Sequence, residues 1–376
     1  GARIQRSKNA LQVVGVGGKL KQPTTRNAIN VGNAGAVLRL LLATCSLLEK
    51  CSFTTNNWKS LGTRPNRDLL TALSQLGVKS TSRHGRLPIT VYGGPKRLHG
   101  GKIKVSGETS SQYVSALLFL SPLIGEKTDI KVTGNLKSRP AVKTTLDVMK
   151  KLGVNVKASK NLTNFELKPQ KYKTGKFEVP GDFPSAAALL CAAAVTKSNV
   201  TLKRMFESKQ GESKVVDVLK KMGANISYNK KKGLVQIKGG KQLKCVTFDG
   251  DEATDAVLAM VAASVFAKGK SRFYNIENIR FKESDRIFDF CKELKKTGAN
   301  VSPKKSEIII RGKPEGVKGG CTINAHHDHR IIMALTIVGL RAKKTITIKN
   351  IEHVAKSYPN FFTDMKKLGA KIKLSK

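Results

Sequence analysis

The sequence predicts an α/β protein of two domains, each assembled from strand–helix–strand–helix–strand–strand units with some helices enclosed by the sheets. Two observations predict it. An amphipathic helix closed by glycine recurs along the chain, and its glycines (Gly77, Gly153, Gly223, Gly298 and Gly369) lie 70 to 76 residues apart. A second set of helical segments is apolar on nearly every side, so those helices have to be buried.

Taken in order, "RIQRSKNALQVVGVGG" (3–18) reads as two short strands around a polar turn, the tail hairpin of a first unit whose helices are absent. The closing helices follow as "LLTALSQLGVKS", "TLDVMKKLGVNV", "VVDVLKKMGANI", "FCKELKKTGANV" and "FFTDMKKLGAKI". Glycine ends each one because the residue after a helix commonly turns left-handed, and lysines suit the negative end of the helix dipole. Hairpins come next, for example "GANISYNKKKGLVQIKG" (223–239) and "GANVSPKKSEIIIRG" (298–312). The buried helices are read at "SSQYVSALLFLSPL" (110–123), "PSAAALLCAAAV" (184–195) and "ATDAVLAMVAASVFA" (253–267). The expected domains are 1–181, incomplete at its start, and 182–376.

Composition narrows the function classes. With 376 residues and 40% hydrophobic side chains the chain can build two globular cores. The longest apolar run, 256–267, is too short to span a bilayer, so no membrane partner is expected. The first twelve residues hold no secretory h-region. Six scattered cysteines without a CxxC pair fit a reducing compartment, and the cytosol is preferred. A net charge of +43 would draw small anions toward the protein. Its lysines are spread over helix ends and hairpins and aromatics make up 6%, so no specific nucleic-acid partner is expected.

Two charged stretches stand out. "IRFKESDRI" (279–287) sets Lys282, Glu283, Asp285 and Arg286 almost in line where a helix begins, with Ser284 as its N-cap and Asp285 in the first turn. "HHDH" (326–329) offers metal-ligand side chains, but local runs seldom aim at one point and no distant Cys/His cluster supports them. No metal is expected.

The quoted segments, together with "VGNAGAVLRLLLA" (31–43), "GTRPNRDLL" (62–70), "SGETSSQYVSALL" (106–118), "LKSRP" (136–140), "PGDFPSAAALL" (180–190), "TDAVLAM" (254–260), "HHDHRIIMAL" (326–335) and "AKSYPNFF" (355–362), resemble the enolpyruvyl transferase family along essentially the whole chain. Within it they match the branch acting on shikimate 3-phosphate. The resemblance implies a two-domain inside-out α/β barrel of six βαβαββ repeats, with the active site in the cleft between the domains. It implies transfer of the enolpyruvyl group of phosphoenolpyruvate to the 5-hydroxyl of shikimate 3-phosphate, in a monomer without cofactor or metal. On that resemblance Arg64, Arg286, Arg330 and Lys356 grip phosphoenolpyruvate, and Gly35 permits close approach. Ser110, Ser111 and Ser138 hold the shikimate phosphate, assisted by Gln112, Asn278 and Lys282. Asp255, Glu283 and Lys356 move protons, while Asp328 and His329 shape the loop carrying Arg330. The first domain is expected to hold most contacts to shikimate 3-phosphate, the second most catalytic and phosphoenolpyruvate contacts.

The chain also departs from the pattern. A Gly-Ser-Lys-Ser segment with a following Arg, which the family carries in its first unit, is missing. Ala36, Leu40 and Ala141 stand where the family usually has Thr, Pro and an aromatic. Two other readings therefore stay open on sequence: a catalytically impaired or polyanion-binding protein of this fold, and the branch acting on UDP-N-acetylglucosamine.

Overall fold

The computed structural model of the chain describes residues 2–22 and 28–375. They divide into two compact units, Gly1–Phe177 and Glu178–Lys376, and each encloses its own hydrophobic core. Among the described residues no helix is long and apolar enough to cross a membrane.

The first unit opens with an antiparallel hairpin, Arg3–Arg6 with Leu11–Val14, as expected for the tail of a repeat. Two four-stranded sheets follow the same plan. In one the spatial order is Ile29–Asn30, Cys51–Thr54, Arg86–Tyr92, Lys79–Arg83. In the other it is Gly101–Ser106, Thr128–Thr133, Asn164–Leu167, Lys157–Ala158. In each sheet the first pair is parallel and the later pairs are antiparallel. Helices α1 (Gly35–Thr44), α2 (Arg67–Ser74), α3 (Ser111–Leu120) and α4 (Arg139–Lys151) alternate with these strands. A parallel pair needs a crossover helix and an antiparallel pair only a turn, so this order is the βαβαββ repeat in three dimensions.

The second unit contains α5 (Phe183–Val195), α6 (Lys214–Lys221), α7 (Val257–Ser264), α8 (Phe288–Lys296), α9 (His329–Gly339) and α10 (Phe361–Lys367). A three-stranded sheet runs Asn199–Leu202, Leu234–Lys238, Asn225–Asn229, and a four-stranded sheet runs Thr247–Asp249, Lys270–Tyr274, Ile308–Arg311, Asn300–Pro303. Two short parallel pairs complete it, Val317–Gly319 with Ala342–Lys344 and Thr322–Asn324 with Thr347–Lys349. Helices α5, α7 and α9 pack on one another. Every residue of α7 is buried, and so are nearly all of α5 and α9. Each fully buried aliphatic side chain there contributes about 1.5–3 kcal/mol, so the all-round apolar helices form the centre and the unit is inside-out.

The five closing glycines all have positive φ, from 77° at Gly153 to 94° at Gly369, which is the left-handed turn their spacing implied. Three expectations shift. The three-stranded sheet lacks the leading strand, and no strand follows Gly369 among the described residues. The stretch 279–287 is a 3-10 turn (Glu277–Phe281) and a loop; α8 starts only at Phe288. Ahead of it, Asp285 Oδ1 accepts from the amides of Ile287 (3.1 Å) and Phe288 (2.9 Å). Ser284 is drawn elsewhere, donating to Asp328 Oδ2 at 3.0 Å.

Candidate active site

In the first unit the candidate residues gather around a side chain that sequence reasoning missed. Arg39 lies on α1 and is 6% exposed. Its Nη1 donates to Gln112 Oε1 (2.7 Å) and Ser110 Oγ (3.1 Å), and its Nε donates to Asn66 Oδ1 (3.4 Å). The guanidinium also lies 5.0 Å from the centre of the Tyr113 ring. One buried cation thus ties the middle of α1 to the Arg64–Asn66 loop and the start of α3. Asn66 holds its own loop by donating to the Arg64 carbonyl at 3.1 Å.

Ser110 caps α3, its Oγ accepting from the Gln112 amide at 3.3 Å. Ser111 is buried in the first turn. The amides and the positive end of the helix make this a favourable place for an anion. Ser138 opens α4 in the left-handed conformation (φ 52°, ψ 46°), and α4 is fastened to α3 by a Ser115–Thr145 hydroxyl contact of 2.7 Å. Gly35 begins α1 beside the Arg64 guanidinium; a Cβ there would stand 2.5 Å from Arg64 Nη1. The close approach expected of Gly35 is therefore an approach by Arg64 itself.

In the second unit the hub is Arg286, 1% exposed. Nε donates to Asp328 Oδ2 (2.8 Å), Nη1 to Asp255 Oδ1 (2.8 Å), and Nη2 to Glu283 Oε2 (2.8 Å) and Asp328 Oδ1 (3.2 Å). A guanidinium has five N–H donors, so little of Arg286 is left for an incoming oxyanion. Its bonds run to three carboxylates. Glu283 is also hydrogen-bonded by Lys356 Nζ through its other oxygen, Oε1. Lys282 Nζ stands 3.9 Å from Asp255 Oδ1, and Asn278 Nδ2 donates to Asp251 at 3.3 Å.

Arg330 differs from Arg286. Its amide donates to Asp328 Oδ1 (2.8 Å), which caps α9. Its side chain is 8% exposed, yet Nε and Nη1 have no hydrogen-bond partner among the described residues. A desolvated cation with unmet donors costs free energy unless an anion completes it.

The electrostatics follow from this crowding. Burial pushes the Asp255 carboxyl up, but Lys282, Arg286 and Arg330 outweigh it and hold the group well below the ordinary carboxylate range. Asp328 is likewise lowered, burial being overcome by Arg286. Glu212 moves the other way, raised by burial and by Asp255; its Oε1 accepts from the Asp255 amide at 3.3 Å. The sequence reading passed over Glu212, which looks like one more charge at a helix start.

His329 is pushed down to about 3, first by burial and then by Arg286 and Arg330. An unfolded histidine titrates near about 6.5, so between that pH and about 3 the unfolded chain binds the extra proton. The neutral ring therefore contributes stability that is complete above pH 6.5 and is lost as pH falls toward 3, at up to about 1.4 kcal/mol per pH unit. His329→Asn is expected to flatten the decline between pH 6.5 and 4 in urea unfolding. An unaltered slope would contradict the assignment.

The other histidines of "HHDH" diverge. His326 faces Asp289 (3.7 Å) and Glu293 (3.5 Å), while His327 Nδ1 meets His353 Nε2 at 2.8 Å. His353 is the distant histidine that the sequence did not connect to this run.

These two clusters can be set beside known proteins. The model of the family described as EPSP synthase (3-phosphoshikimate 1-carboxyvinyltransferase) matches residues 1–365. The 3-phosphoshikimate 1-carboxyvinyltransferase of Deinococcus radiodurans is 42% identical over 353 residues, 93% of this chain and 79% of that protein. The protein of the same name from Methanosarcina acetivorans is 39% identical over 378 residues, 99% of this chain and 86% of the relative. Among solved structures, an EPSP synthase from Acinetobacter baumannii superposes with a TM-score of 0.80 at 28% identity, covering 100% of this chain and 86% of that one. The enolpyruvyl transferase NikO from Streptomyces tendae, at 17% identity and a TM-score of 0.74, shares the fold. With the family pattern running from residue 1 to residue 365, the chain belongs to the EPSP synthase family.

Proposed function

We propose that the chain transfers the enolpyruvyl group of phosphoenolpyruvate to the 5-hydroxyl of shikimate 3-phosphate and releases inorganic phosphate. The observation that carries this reading is the desolvated Arg330 guanidinium with unmet donors, in a cluster where Arg286 bonds Glu283 and Lys356 bonds the same carboxylate. Such a set can take an anion and also hand a proton to and fro.

The reaction adds the hydroxyl oxygen to C2 of phosphoenolpyruvate while a proton joins C3, giving a tetrahedral ketal phosphate with a methyl group. The C–O bond to phosphate then breaks as a proton leaves the methyl group, restoring the double bond. The hydroxyl proton ends in solvent or on phosphate, and no cofactor enters the balance. Glu283 and Lys356, hydrogen-bonded to each other, are assigned the transfers at C3. Asp255, kept ionised by three cations, is assigned to accept from the substrate hydroxyls. Arg330 and Arg64 receive phosphoenolpyruvate, because a planar guanidinium pairs with two oxygens of a carboxylate or phosphate at once. Lys282 and Asn278 assist with shikimate 3-phosphate. The start of α3, with Ser110, Ser111 and Gln112, and Ser138 at the start of α4 receive its phosphate. Arg39 and Arg286 act by positioning.

Phosphate release from phosphoenolpyruvate tests the assignment directly. Release is expected with shikimate 3-phosphate and not with UDP-N-acetylglucosamine; the reverse preference would move the chain to the other branch. Steep salt-dependent DNA binding without phosphate release would favour the polyanion-binding reading. Gly35→Ala should displace Arg64 Nη1 from the place it occupies. Its expected effect is a roughly tenfold rise in KM for phosphoenolpyruvate, about 1.4 kcal/mol, with little change in KM for shikimate 3-phosphate. Equal rises in both would contradict the role given to Arg64.

A further inference from the structure

Two groups of metal-ligating side chains occur among the described residues, both in the second unit. Glu283, Asp328 and His329 form one, but the Arg286 guanidinium already bonds both of its carboxylates, so a cation is present there. The other is His327, Glu352 and His353, which none of the proposed catalytic steps uses. His327 comes from the loop before α9, and Glu352 and His353 come from the 3-10 segment Ile351–Lys356. We propose that His327, His353 and Glu352 form a binding site for one divalent transition-metal ion of the zinc, nickel or cobalt type.

The geometry is near what such an ion requires. His327 Nδ1 lies 2.8 Å from His353 Nε2, and His353 Nε2 lies 3.2 Å from Glu352 Oε1. All three ligand atoms fall within 4.8 Å of one another. Ligands about 2.0–2.2 Å from a tetrahedral zinc are separated by roughly 3.3–3.5 Å. The carboxylate spacing is thus close to fitting, and the two imidazoles need to part by about half an ångström. The rings meet edge to face, at 79°, so a small rotation of each turns the shared N–H···N contact into two nitrogen lone pairs facing one ion. Water completes the coordination. In the unloaded protein the two ring nitrogens are in hydrogen-bond contact, and the ion takes the place of that contact.

The donor set selects the class of ion. Calcium and magnesium depend on several hard oxygen ligands, and the group offers one carboxylate. Two imidazole nitrogens and one carboxylate favour zinc, nickel or cobalt through ligand bonding. The position also matters. His327 lies three residues before Arg330 and His353 three before Lys356, so a bound ion would fasten together the two segments that present these cations.

Titration of the purified full chain with cobalt(II) chloride, followed by its visible spectrum, and with zinc chloride by calorimetry, tests the site without reference to turnover. One ion per chain is expected, with a cobalt spectrum of nitrogen and oxygen ligands. His327→Ala and His353→Ala are each expected to weaken binding by at least about tenfold, with Glu352→Gln weaker than wild type as well. Circular dichroism of the unloaded variants checks that they fold, and the exposed Cys245 is controlled by Cys245→Ser. Undiminished binding in both histidine variants, a thiolate band that disappears in Cys245→Ser, or no stoichiometric binding would each overturn the proposal.

Discussion

Glu283→Gln is expected to lower kcat by about 10²–10⁴, the range typical for losing a general acid–base group, while both KM values change by less than roughly threefold. The amide keeps the shape of the side chain, but its single oxygen can accept from only one of Arg286 and Lys356, which bond different oxygens of the carboxylate. It cannot carry a proton. Glu283 is well placed for this experiment because its side chain is 6% exposed and held on both oxygens, so few other conformations compete. Steady-state phosphate release separates the outcomes. A kcat within about threefold of wild type would remove Glu283 from the chemistry, and a matched rise in KM with unchanged kcat would make it a binding residue.

The second large effect is on stability. Asp328→Ala should destabilise the second unit by about 3–5 kcal/mol, because it leaves the Arg286 charge buried without its main partner. The same carboxylate caps α9 through the Arg330 amide and accepts from Ser284, so one deletion strips several bonds at once. Asp328→Asn is expected to cost less, since an amide oxygen still caps the helix. The measurement is the urea midpoint at pH 7, with the slope checked for a change in the unfolding transition. A loss below about 1 kcal/mol for the alanine variant would mean that Arg286 is held by Asp255 and Glu283 alone.

The repeats were legible in the sequence because their signals are local. Glycine after an amphipathic helix reports a left-handed residue, and helices apolar on all sides report burial; both hold, in α3, α5 and α7 and at the five closing glycines. The candidate site was legible through family-like segments, and the structure draws Asp255, Lys282, Glu283, Arg286 and Lys356 into one network. What escaped notice depends on partners far away in the chain. Arg39 is one cation in an apolar helix, and nothing adjacent announces that Asn66, Ser110 and Gln112 will surround it. Ser284 looked like a cap because serine usually suits that position, but Asp328 competes for its hydroxyl and the helix starts later. Arg286 matched a substrate-gripping segment, and nothing adjacent in sequence announces the bonds it makes to Asp255, Glu283 and Asp328. His353 is a solitary histidine in sequence, and only the fold brings it to His327.

In the proposed reaction addition and elimination occur at one carbon, with the Glu283–Lys356 pair supplying and removing a proton at C3. Running the reaction in D2O with phosphoenolpyruvate and shikimate 3-phosphate and inspecting the product by NMR tests that claim most directly. A methyl intermediate mixes solvent deuterium with the two original hydrogens, so deuterium is expected in the vinyl group of the wild-type product, with almost no product from Glu283→Gln. Phosphate release without deuterium in the vinyl group, or equal labelling by wild type and Glu283→Gln, would contradict it.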